Sequence, residues 1–210
     1  MTDTLTIVGN IASGKSTLMP RLAQALSARA IDADSLFQTT DPFAKPFLAD
    51  MSRWAFTNEV WLTVERAKIM KEALEKKTSK VTLVDSGLLM SWVYAYSHLI
   101  VGKISQDEWN LYHELYDQLT DGLFENTKVV KLSYSIDTLM QRLQKRGRDF
   151  ELAFYTREYL GQLELGLSAL QEKLVARKVT VIEILEKDVA DFEENSKDMK
   201  KVITAVSKWI

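Results

Sequence analysis

Cysteine is absent from the chain, which excludes disulfides and thiolate metal sites and suits a reducing cytoplasm. Proline occurs only three times, at positions 20, 42 and 46, and no Gly/Pro/Ser-rich stretch marks a linker between domains. Charge of one sign is not in excess either, with 27 basic residues against 29 acidic ones. Broad attraction to nucleic acid or to an anionic membrane therefore has no compositional basis, and any recognition of phosphate has to be local. Long apolar runs are missing as well. Nowhere do about 18 uninterrupted apolar residues occur, and the opening "MTDTLTIVGN" has neither the basic region nor the apolar length of a secretion signal. The expectation is a cytoplasmic protein with no membrane segment.

What is present suits one sizeable core: 210 residues with 46% hydrophobic content fall in the range of a single α/β domain spanning 1–210. Four short, mostly β-branched runs read as buried parallel strands, namely "TLTIV" (4–8), "VTLVD" (81–85), "KVVKLSY" (128–134) and "VTVIEI" (179–184). "ARAID" (28–32) is a weaker candidate because its composition also suits a helix. Segments of helical period separate the strands, so the expected fold is a doubly wound parallel sheet with helices on both faces. "DPFAKP" reads as a loop before the long helix "DMSRWAFTNEVWLTVERAKIMKEALEKK", whose Trp54, Trp61, Val64 and Met70 fall near one face and Arg53, Lys71 and Glu75 near another. His98 and His113 lie in helical segments without acidic partners at ligand spacing, and both are expected to be structural.

The nine residues "GNIASGKST" carry the chemistry: Gly9, Asn10, Ile11, Ala12, Ser13, Gly14, Lys15, Ser16 and Thr17. They meet the pattern G-x-x-x-x-G-K-[ST] between a predicted strand and a predicted helix. Glycines let backbone N–H groups turn inward, the helix N-terminus adds partial positive charge, Lys15 reaches the β and γ phosphates, and the Ser16 hydroxyl ligates Mg2+. ATP with Mg2+ is the expected cofactor pair; a chance match or a loop that has lost its ligand is the alternative. No Asn-Lys-x-Asp tetrapeptide is present to read a guanine base as switch GTPases do, and 210 residues are few for a mechanical ATPase. A compact small-molecule kinase remains.

Further along, "SIDTLMQRLQKRGRDFELAFYTREYLGQL" supplies Arg142, Arg146 and Arg148, with Lys145. Helical spacing puts Arg142 and Arg146 on one face, and Gly147 permits a sharp exit that swings Arg148 toward the same side. Such guanidiniums could clamp phosphoryl oxygens during transfer, as a lid over about 142–155. The alternative is a solvated basic helix end that complements the helix dipole.

At this point the chain resembles a known family. "GNIASGKS", "DPFAKPFLADMSRWAF", "ERAK", "GKISQDEWNLYHELYDQL", "IDTLMQRLQKRGRDFE" and "YLGQLELGLSAL", in that order, resemble the deoxynucleoside kinases, in particular the bacterial deoxyadenosine/deoxyguanosine kinase branch. The resemblance covers essentially the whole chain. It implies a homodimer, or a heterodimer with a related kinase, in which a nucleoside 5′-hydroxyl receives the γ phosphate of ATP. By the same resemblance Lys15 and Ser16 hold donor phosphates and Mg2+, Arg142, Arg146 and Arg148 form the lid, Glu151 approaches the sugar or the metal, and Arg66 helps organise the acceptor. Asp85 matches an acidic residue able to hold Mg2+ through water; a strand-ending Asp can otherwise merely cap the next helix.

Departures from the family pattern cluster on the acceptor side. Ser86 stands where the family has arginine after the acidic residue, and Glu59 where it reads the base with glutamine. Ser91 replaces a second base-facing acid, and Leu48 a tyrosine near the sugar. A carboxylate accepts hydrogen bonds but cannot donate, so Glu59 suits adjacent donors such as the N1–H and amino edge of guanine. For the general base, counting back from Asp41 without a gap lands on Leu36; a short insertion gives Asp34, with Asp32 the alternative, each of which could also be a turn acid. Two other readings stand beside nucleoside phosphorylation: a kinase for another small hydroxylated metabolite, and a nucleotide-binding partner subunit with little turnover.

Overall fold

The β-branched and aliphatic runs form strands, and the edge candidate near residue 30 joins them. A computed structural model describes residues 3–33, 35–76, 79–124, 126–189 and 196–209. Five strands, β1 (Asp3–Gly9), β2 (Arg29–Asp32), β3 (Val81–Asp85), β4 (Thr127–Ser133) and β5 (Thr180–Leu185), make one sheet in the order β2-β3-β1-β4-β5, every neighbouring pair parallel. The helices of the described residues are α1 (Lys15–Leu26), α2 (Leu36–Thr39), α3 (Ala44–Ala49), α4 (Met51–Glu75), α5 (Gly87–Ile100), α6 (Gln106–Thr120), α7 (Ile136–Arg146), α8 (Asp149–Phe154), α9 (Arg157–Ala176) and α10 (Ser196–Ser207).

Alternation along the strands feeds two cores. Leu5, Ile7, Leu83, Val130 and Leu132 pack with Leu18 and Leu22 of α1, Leu139 and Leu143 of α7 and Val202 and Val206 of α10. Val8, Ile31, Val84 and Val129 pack instead with α4, α5, α6 and α9. A parallel sheet covered on both faces is the doubly wound arrangement expected. Helix α5 is buried along nearly its whole length, as an apolar "GLLMSWVYAYSHLI" requires. Asp50, Ser105, Ser135 and Thr156 each cap the helix that follows with a side-chain oxygen, and Ser105 completes a capping box with Glu108.

Two details depart from the sequence reading. "DPFAKP" is not wholly loop, because Pro46 lies in the first turn of α3, where no intrahelical N–H is needed. The face of α4 matches the expectation in part: Met70 is buried and Arg53, Lys71 and Glu75 are exposed, but Trp54, Trp61 and Val64 are only partly buried, and Ala55, Asn58, Glu59, Leu62, Thr63, Arg66, Ala67, Met70 and Ala73 form the buried stripe. The stripe carries polar Asn58, Glu59 and Arg66 among its apolar residues because these three line the cleft described below. Among the described residues no helix is long and apolar enough to cross a membrane.

Helices α5 and α9 touch at Gly166, where an added Cβ would lie 2.7 Å from Ser97 Oγ and 3.0 Å from both Val93 Cγ1 and the Val93 carbonyl oxygen. Gly166→Ala should therefore destabilise the fold by about 1–2 kcal/mol despite the better helix propensity of alanine. Urea denaturation checks this; a midpoint at or above that of the parent chain contradicts it.

Candidate active site

Parallel α/β sheets bind ligands beyond the carboxyl ends of their strands, where the strand order reverses. Here that point lies at the end of β1, with Gly9 in register beside Leu132 of β4 and Ile7 beside Asp85 of β3. A Cβ on Gly9 would meet Ser13 Oγ at 2.8 Å and the Leu132 carbonyl oxygen at 2.9 Å, so any side chain would push the loop off β4. Gly14, at φ 96°, occupies the left-handed position from which α1 starts. Asn10 ties the loop to α9, donating to the Leu160 carbonyl at 2.9 Å and to Glu164 Oε2 at 3.2 Å while accepting from the Ile11 N–H. Lys15 is buried, and its Nζ donates to the carbonyls of Gly9 (3.0 Å) and Asn10 (3.1 Å). Ser13 is buried too, with no partner for its hydroxyl among the described residues. Thr17 follows in the first turn of α1.

Asp85 ends β3 and is buried. Its Oδ2 accepts from Ser16 Oγ at 3.4 Å and its Oδ1 from Ser86 Oγ at 3.1 Å. Ser86 sits at φ 59°, ψ −61°, a region that strains any residue but glycine and that clusters at functional sites. No group of three or more His, Asp or Glu side chains is arranged to hold a metal among the described residues. The hydroxyl of Ser16 beside one carboxylate is instead the kind of donor set that Mg2+ takes when phosphates and water complete its shell.

Helix α7 stops at Gly147, φ 61°, and the chain continues into α8. The three arginines divide. Arg142 donates to the carbonyls of Ala12 (3.3 Å) and Ser13 (3.2 Å) and stacks 4.0 Å over the Tyr134 ring, bracing the loop without lining the cavity. Arg146 and Arg148 do line it. One helical turn, about 5.4 Å of axis, separates what Arg142 and Arg146 touch although they share a face. Arg148 pairs with Glu151 Oε1 at 2.9 Å, and the second oxygen of that buried carboxylate has no partner among the described residues.

One cavity of about 170 Å³ runs from the loop and lid to α4, bringing Ile11, Ala12, Gly14, Lys15 and Ser16 together with Glu59, Arg66 and Glu151. Phe37, Phe47, Leu48, Met51 and Leu62 make its apolar lining. Arg66 is wholly buried, donating from Nε to the Ala33 carbonyl (3.0 Å) and from a terminal nitrogen to Ser91 Oγ (2.8 Å). Ser91 thus sits behind Arg66 and is absent from the cavity lining. Glu59 is 3% exposed and lies 3.7 Å from the equally buried His98. The acidic neighbour of His98 comes from another helix, which is why its own segment shows none at ligand spacing. Burial raises the Asp41 carboxyl above the usual range, against the lowering effect of the Phe43 N–H bond, and nearby Glu59 adds to the rise. Asp34 lies outside the described residues. Its neighbour Asp32 is exposed and accepts from the Ser35 N–H at 3.1 Å, a turn-capping position.

The profile of the deoxynucleoside kinase family matches residues 5–210. The chain belongs to the deoxynucleoside kinases, and it is a phosphotransferase whose family chemistry is ATP-dependent phosphorylation of nucleosides. It is 27% identical over 98% of its length to a deoxyguanosine kinase of Bacillus subtilis, of which it covers 97%. Against a deoxyguanosine kinase of Lactobacillus johnsonii the identity is 24%, over 96% of this chain and 90% of that one. In fold it is similar to a deoxyadenosine kinase from M. mycoides solved with dCMP and dCDP, with a TM-score of 0.76 at 20% identity, covering 99% of this chain and 100% of that one.

Lys15→Ala removes the cation that fastens the Gly9 and Asn10 carbonyls and would face donor phosphate. Calorimetric titration should show ATP affinity falling by at least about a hundredfold, since charge-assisted contacts and loop order are lost together. Unchanged affinity would contradict this role.

Proposed function

We propose that this chain transfers the γ-phosphoryl group of ATP to the 5′-hydroxyl of a deoxynucleoside, with a guanine base at the far end of the cleft. The observation that carries the reading is one cavity with a complete phosphate loop at one end and a buried carboxylate, Glu59, at the other. Backbone N–H groups of Gly14, Lys15 and Ser16, at the N-terminus of α1, would hold the β and γ phosphates, with the Lys15 ammonium between them. Ser16 and Asp85, the latter through water, would hold Mg2+, which supplies charge neutralisation on the transferring phosphate.

Arg146 and Arg148 are the lid cations that would meet the moving charge, a larger share of that task falling to them because Ser86 replaces an arginine. Asp34 comes two positions after the end of β2, and the carbonyl of the intervening Ala33 accepts from Arg66. An acid there would take the proton of the 5′-hydroxyl as the O–P bond forms and the bond to the departing ADP breaks. Glu59 offers two acceptor oxygens to the N1–H and amino groups of guanine. Two such chains, identical or related, make the assembly that the family resemblance implies, in a cytoplasmic setting.

Purified protein incubated with labelled ATP and a nucleoside panel should phosphorylate deoxyguanosine at least tenfold more efficiently than deoxyadenosine. Glu59→Gln should lower kcat/KM for deoxyguanosine by about 10–100-fold, the loss of a charge-assisted pair of hydrogen bonds, and narrow the gap to deoxyadenosine. ATP binding without transfer to any nucleoside would favour a partner subunit with little turnover, the reading to which Ser86 points.

A further inference from the structure

Four buried side-chain atoms in or beside the α4 wall of the cleft have no hydrogen-bond partner among the described residues: Nδ2 and Oδ1 of Asn58, Oε2 of Glu59 and, behind Glu59, Nε2 of His98. Their residues are 1%, 3% and 2% exposed, and buried polar atoms without partners are costly and rare. Asn58 and Glu59 are successive residues of α4, and both line the cavity. His98 arrives from α5, its ring edge-on to Phe47 at 5.5 Å between centroids, with Nε2 3.7 Å from Glu59 Oε1. That distance is too long for a hydrogen bond and short enough for a modest adjustment to make one. Nearby alternatives are engaged elsewhere: the Tyr112 hydroxyl pairs with Thr63 Oγ1 at 2.9 Å, and Arg66 holds Ala33 and Ser91.

We propose that Asn58, Glu59 and His98 act as one reading unit for a base edge that presents two adjacent donors followed by an acceptor. Glu59 accepts the two donors, one on each oxygen. The Asn58 amide donates to the acceptor, which on guanine is O6. His98 is a positioning residue: it donates to the remaining lone pair of Glu59 Oε1 and so fixes the plane of the carboxylate, each oxygen having room for two partners. The unit contains the right number of acceptors and donors for that edge, and an adenine edge would leave Glu59 facing an unprotonated ring nitrogen. This inference rests on the reading of the cleft as a nucleoside acceptor site.

The test is steady-state kinetics of the full chain with deoxyguanosine, deoxyinosine (which lacks the amino group) and deoxyadenosine. His98→Leu should raise KM for deoxyguanosine about tenfold with kcat changed less than twofold, and should cost deoxyinosine less. His98→Gln, which keeps an N–H donor, should return KM to within about threefold of the parent. Asn58→Ala should weaken deoxyguanosine and deoxyinosine equally, since both carry O6. Unchanged KM in His98→Leu, or His98→Gln as poor as His98→Leu, overturns the positioning role. Should His98→Leu fail to fold, Asn58→Ala decides, and an unaltered KM for both 6-oxo substrates overturns the unit. A parent chain that prefers deoxyadenosine overturns this inference and the choice of guanine but leaves nucleoside phosphorylation standing, whereas one that phosphorylates no nucleoside overturns the function on which both rest.

Discussion

Two cations hold the backbone of the phosphate loop by its carbonyls. Lys15 takes those of Gly9 and Asn10, and Arg142 takes those of Ala12 and Ser13. These four contacts fix the path of the loop, which Asn10 closes further by accepting from the Ile11 N–H on its side chain and from the Ser13 N–H on its carbonyl. The arrangement needs the sheet beneath it. Gly9 must run close against Leu132, and Asn10 must reach α9, so the loop keeps its shape only while β1, β4 and α9 stay packed. Arg142 is therefore part of what holds the loop in shape.

The acceptor end obeys the opposite logic, because its charges are buried. A guanidinium with no exposure is tolerable only when its N–H groups are satisfied, and Arg66 draws on a backbone carbonyl from the end of β2 and a hydroxyl from α5. Those two bonds draw the strand end, α4 and α5 together at the wall of the cleft. Glu59 and Asn58 both sit about two turns before Arg66 on the same buried stripe, which explains why so long a helix has so weak an apolar face.

How much of this was legible depended on how local each signal was. The phosphate loop is a contiguous pattern, and four of the strands are contiguous apolar runs, so both could be read directly. Strand β2 was the doubtful one, being four residues at a sheet edge with one buried side chain. Hydrophobic period alone places Met70 correctly on the buried side of α4 but not Asn58, Glu59 and Arg66, which are buried because they line the cleft. Periodicity gave the correct angle for Arg142 and Arg146 but not their separation along the axis, which decides that one braces the loop and the other reaches the cavity. His98 carried no signal at all: Glu59 lies 39 positions earlier, and only the packing of α5 on α4 brings the two side chains within 3.7 Å. The base was ambiguous for a related reason, since the length of the turn after β2 has no pattern to fix it.

A fixed donor loop facing an enclosed acceptor slot should deliver phosphate to one hydroxyl and no other. Phosphorus NMR of a reaction containing the protein, ATP, Mg2+ and deoxyguanosine tests this most directly. The account predicts a growing monophosphate resonance split into a triplet by the two 5′ protons, matched one for one by ADP. A doublet from a secondary alcohol, or inorganic phosphate accumulating in place of a nucleotide, would contradict it.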